Sequence, residues 1–206
     1  MTDKSDNGNA ETVRRAVGTR PLFEGLGRVL SISRVYDTDI DDLWEACTDP
    51  ARLRRWFLPV TGELRLGGRY QLEGNASGTV EQCDPPNGFS ATWEFDGMSW
   101  IEVALTSEPG GKTRFDLVHI APETEHWAQY GPGAAGIGWD ISLLRLAVHL
   151  SGGEVEPEEE WAATEEGRRF MLAAGDSWCA ADVVAGTDPA VAEAAAERTK
   201  AAYAGN

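Results

Sequence analysis

The side chains in this sequence best suited to chemistry are a few polar groups set into apolar runs. His119 alternates with Phe115 and Leu117, and Arg34 with Leu30 and Ile32, so each falls on the apolar face of a strand-like segment. Either could orient a ligand, or serve as the polar group of a cyclase or hydrolase-like catalyst. A histidine on such a face is more often hydrogen-bonded structure than a catalyst, and Arg34 can simply pair with an acid at the strand end. Arg145 and His149, one turn apart on an apolar helical stretch, also admit two readings. They form a polar patch at a pocket mouth, or they meet solvent and the C-terminal tail.

Other chemistries lack a pattern. His119, His126 and His149 show no paired ligand spacing, so no metal site is expected. There is no GxSxG elbow, and no cysteine has a recognisable base partner, so no catalytic residue is assigned. Glycines 67, 68, 74 and 78 form neither GxGxxG nor a P-loop in a strand-to-helix context, and no cofactor is expected. Arg52, Arg54 and Arg55 beside Trp56 read as a solvated helix face, with an anionic head group as the alternative.

The elements that must position these groups begin with alternation over 28–36. Two short helices follow: Thr38 is a plausible N-cap for one, and Asp49-Pro50 opens the second. From 62 to 121 the period is two, with Gly, Pro and Asn punctuation, which reads as an antiparallel meander. Phe89, Ala91, Trp93 and Phe95 share one face of its clearest strand. Residues 122–136 read as a Gly- and Pro-rich loop. The segment 138–150 is helical in period and apolar on almost every side, so it must be enclosed. An acidic linker from 152 leads to helices over about 164–185 and 189–203, and Trp161 and Trp178 imply that this tail docks on the body.

The chain has 206 residues, enough to bury a core without staples. Its 18 bases and 34 acids give a net charge of −16, which argues against binding nucleic acid or an anionic membrane. Cys47, Cys83 and Cys179 are odd in number and lack a CxxC spacing, as expected of thiols in a reducing cytoplasm. No apolar run approaches a membrane span, and residues 1–26 read as a flexible arm.

Val35-Tyr36 leading into Leu43-Trp44, then Thr48-Asp49-Pro50 with Leu53 and Trp56, Gly67-Gly68-Arg69-Tyr70, and Gly138-Trp139 with Leu143 to Leu146 together resemble the START-like (SRPBCC) superfamily. Within it, the likeness is to the family similar to the C-terminal domain of activators of the heat-shock protein 90 ATPase. It implies an α+β helix-grip fold: a curved antiparallel sheet wrapped around a long C-terminal helix, two short helices after the first strand, and here an extra helical tail. The domain then spans 27–151, and residues 152–206 form the acidic linker and helical extension, of a kind found in some bacterial members.

The resemblance also implies a cytoplasmic protein that binds or senses a small hydrophobic molecule, aromatic or lipid-like, between sheet and helix. The expected lining is Trp56, Phe89, Trp93, Phe95, Val103, Phe115, Leu117, His119, Trp139 and Leu143, with Arg34, His119 and Arg145 as polar groups. The competing reading is that these side chains simply fill a core. A homodimer is an open alternative. A chaperone-associated interaction module is a further alternative, although only about 27 residues precede the first strand, which speaks against a chaperone partner. Trp100 has the opposite parity to Ile101 and Val103, so the tail or a second subunit is expected to cover it.

Overall fold

In the computed structural model, residues 13–205 are described, and their strands form one open antiparallel sheet. The strands are β1 (Arg14–Pro21), β2 (Leu26–Tyr36), β3 (Val60–Gly62), β4 (Arg69–Leu72), β5 (Ser77–Asp84), β6 (Gly88–Glu94), β7 (Met98–Glu108) and β8 (Lys112–Pro122), in the spatial order β1-β2-β8-β7-β6-β5-β4-β3. Two short helices follow β2. In α1 (Ile40–Thr48) the cap is Asp39, whose carboxylate accepts from the Asp42 N–H; Thr38 lies one residue outside and donates its hydroxyl to Asp42. In α2 (Pro50–Trp56), Asp49 caps and Pro50 takes the first turn, as the dipeptide predicts.

The long helix α4 (Gly133–Leu150) explains its own apolar sequence. One side lies against the sheet and α2. The other lies against α6 (Glu165–Val184) and α7 (Pro189–Ala204). Ile137, Trp139, Ile141, Leu143 and Leu146 are therefore all buried, although they point in different directions. The tail is seated deeply: Trp178 of α6 is fully buried, and a Cβ at Gly136 of α4 would lie 2.3 Å from its ring.

A polar lock ties three distant segments together. Asp140 on α4, 1% exposed, accepts from Arg15 of β1 at 2.5–3.1 Å and from the Trp178 indole N–H at 2.7 Å. Burial pushes the Asp140 carboxyl above its ordinary range, against the opposing pull of Arg15 and Trp178. Three donors on one carboxylate are what such a depth requires.

Several expectations are corrected. The flexible arm read over 1–26 does not hold for Arg14–Pro21, which pairs along its whole length with β2, while residues 1–12 of that arm lie outside the described residues. The loop at 122–136 contains α3 (Glu125–Tyr130), capped by Thr124, and the first turn of α4. The acidic linker contains α5 (Glu158–Ala162). The meander expected from 62 begins two residues earlier, with β3. Among the described residues, no helix is long and apolar enough to cross a membrane.

Candidate functional site

Between the sheet and the first half of α4, four rings converge. Trp139 of α4 lies 5.3 Å from Trp93 of β6 and 5.9 Å from His119 of β8, measured between centroids, and stacks on Phe57 at 6.2 Å with 20° between planes. Trp93 and Trp139 are buried, whereas Phe57, which ends α2, is only half-buried. Offset aromatic contacts of this kind give a broad, rigid apolar surface.

His119 is the polar member of the cluster, and its hydrogen bonds fix its state. The Trp139 indole can only donate, and it does so to Nδ1 at 3.1 Å. Nε2 must then carry the proton, donated to Ser99 Oγ at 2.9 Å, and Ser99 donates in turn to the Trp93 carbonyl at 2.8 Å. Burial pushes the imidazole pKa down to about 4. Both nitrogens are engaged within the protein, so the ring orients the cluster and has no free lone pair for general-base work.

The other predicted lining residues divide. Val103, Phe115, Leu117 and Leu143 are buried in the core, and Phe89 meets Trp44 of α1 edge-on at 6.3 Å. Trp56 is buried with its indole N–H on the Ala46 carbonyl. Phe95 is corrected outright: it is 57% exposed, because β6 ends at Glu94 and residues 95–97 form the hairpin turn, with Asp96 and Gly97 at φ 50° and 134°. Alternation stops where the strand stops. Arg34 lies over the Tyr36 ring and donates to the Leu143 carbonyl, near the other end of the inner face. Arg145 donates to the carbonyls of Trp56 and Glu156, strapping α2 and the acidic linker to α4. His149 meets Arg52, itself paired with Asp42. Among the described residues, no group of three His, Cys, Asp or Glu side chains is placed to hold a metal ion.

The inner rings pack against one another, and two depressions lie elsewhere, on the outer face of β5, β6 and β7, at about 390 and 240 Å³. Trp100 borders the smaller one. It is half-buried beside Arg20 and Leu22 of the β1–β2 hairpin, whereas the tail packs on α4 and β1. The expected cover by the tail is thus corrected.

Residues 37–151 match the model of the family of Activator of Hsp90 ATPase homolog 1-like proteins. The chain belongs to this family. Among solved structures it is similar to CalU16 from Micromonospora echinospora. The solution structure of CalU16 is 32% identical with a TM-score of 0.73, covering 88% of this chain and 100% of that one; its crystal structure is 33% identical with a TM-score of 0.68, covering 82% and 97%. That likeness runs beyond 37–151, into the flanking elements. PFC0360w, an HSP90 activator from Plasmodium falciparum, is 21% identical with a TM-score of 0.52, covering 60% of this chain and 96% of that one, a likeness of fold alone. No curated protein matches the chain.

Within the family segment, sequence reasoning found Trp93, His119 and Trp139 but missed Phe57 and Ser99. Phe57 falls in the α2 stripe after Trp56 and reads as core. Its signal was position: a second ring immediately after the helix's last buried one. Ser99 becomes visible only when the β6–β7 register places it opposite Trp93.

Proposed function

We propose that the protein binds a small, flat, apolar molecule at the Trp93–Trp139–Phe57 cluster and does not transform it. The fold of a curved sheet around a long helix supports a ligand-binding domain. The observation that carries the finer reading is the Phe57 ring, half-buried and stacked on Trp139. It occupies the position an aromatic ligand would take, at the C-terminal end of the short helix α2. Binding displaces it, and the cost of displacement lowers the apparent affinity. His119, engaged at both nitrogens, favours binding over catalysis.

Naphthalene is a suitable probe, titrated into the ¹⁵N-labelled full chain while the Trp139 and Trp93 indole N–H signals are followed. Phe57→Ala removes the competing ring and leaves an apolar slot of the kind that accepts small aromatics. It is expected to bind naphthalene at least about tenfold tighter than the wild type. Trp139→Ala is expected to abolish binding, and His119→Gln to retain it. Equal, negligible binding by the wild type and Phe57→Ala would refute the proposal.

A further inference from the structure

The two outer depressions are one groove, because they share Gln82, Ser90 and Glu102. Its construction depends on a β-bulge. The β5–β6 register runs Val80 to Ala91 and then Gln82 to Ser90, so Glu81 is the extra residue. Two consecutive side-chain positions, 81 and 82, therefore border the groove where regular alternation would supply one. Trp100, two residues before Glu102 on the same outward face of β7, supplies a half-exposed aromatic wall.

The lining mixes this ring with groups that hydrogen-bond in pairs. Glu102 is held by Arg20 at 2.5 and 3.2 Å, Asp84 accepts from the Asn87 amide at 3.2 Å, and Gln82 and Ser90 lie between them. One guanidinium and three carboxylates leave the groove negative, which disfavours phosphates and other anions. An extended peptide finds little purchase by strand addition: β6 and β7 are paired along both edges, and β5, which pairs with β4 over Ser77–Thr79, leaves only the short stretch 81–84 open, its regularity broken by the bulge at Glu81. An apolar molecule would strip water from these exposed carboxylates and amides and offer no hydrogen bond in return.

We propose that this groove binds a saccharide carrying no negative charge. A sugar ring presents an apolar C–H face, which suits Trp100, and a rim of hydroxyls, which suits the carboxylate, amide and guanidinium groups of Glu102, Gln82, Asn87 and Arg20. The two joined depressions accommodate adjacent rings. This site is separate from the Trp93–Trp139–Phe57 cluster, and either can exist without the other.

Cellobiose, titrated into the ¹⁵N-labelled full chain, tests the assignment. Saturable shifts are expected at the Trp100 indole N–H and the Gln82 and Asn87 side-chain amides, with none at the Trp139 indole. Trp100→Ala is expected to weaken binding about tenfold. Cellobiouronic acid, which adds a carboxylate, should bind several-fold more weakly than cellobiose. Should Trp100→Ala unfold, Gln82→Ala, at an exposed position, reads the same site and should weaken binding severalfold. Absence of saturable shifts, shifts confined to the inner cluster, or wild-type affinity in both variants would overturn the proposal.

Discussion

Trp139 and Asp140 are neighbours in sequence, yet they face two differently built regions on either side of α4. On the Asp140 side, the carboxylate is enclosed by Arg15 of β1 and Trp178 of α6, with every polar group paired and Gly136 leaving no spare space beneath the indole. On the Trp139 side, the rings of Phe57, Trp93 and His119 meet by stacking and edge contacts, and Phe57 remains half-buried. The first region holds the helix by paired polar groups and tight packing; the second holds it by ring contacts, one of them made by a half-buried ring.

The contrast predicts a ranking of effects. Asp140→Ala strands the Arg15 guanidinium, whose side chain is 7% exposed, and should cost about 3–5 kcal/mol in urea unfolding at neutral pH. A loss under about 1 kcal/mol would mean that the rear of α4 is not locked, since exposed pairs are worth no more. Gly136→Ala drives a methyl into Trp178 and should cost about 1–3 kcal/mol, with faster proteolysis of the tail. Unchanged cleavage would show that α6 shifts freely.

Acid should act mainly on the Trp139 side. His119 has a folded pKa of about 4, below its ordinary 6.5, so between these values the unfolded chain binds a proton that the folded one refuses. Its stabilising effect is present above about pH 6.5 and declines by about 1 kcal/mol per pH unit as pH falls towards 4. His119→Gln should remove that slope; a wild-type slope in this variant would assign it to other groups. Smallest of all, Phe95→Ser at the hairpin tip should change stability by under about 0.5 kcal/mol, and a larger loss would return Phe95 to the core.

What the sequence revealed follows the range of the forces involved. The helix α4 was legible because its apolar residues cover every side, which only full enclosure explains. The caps at Asp49-Pro50 and the alternation of β7 and β8 are likewise local. By contrast, β1 is polar and rich in arginine, and it becomes a strand by pairing with β2. The partner that makes Arg15 intelligible, Asp140, lies 125 positions away. Phe95 was misread because apolar alternation continued into a turn, although the Asp96-Gly97 dipeptide marks a hairpin. At the candidate site, His119 could be placed on its strand face, but its tautomer depends on an indole from another element.

The lock at Asp140 also bears on where the protein can be cut. The segment by which the family is recognised, 37–151, contains the carboxylate but neither of its donors. Trimmed to those borders, the fragment would lose β1, β2, α6 and α7, so Asp140 and the apolar side chains on the rear of α4 would be left facing water. The smallest autonomous piece is therefore expected to start at or before Arg14 and to retain α6, and any shortened version made for crystallisation or engineering inherits that minimum.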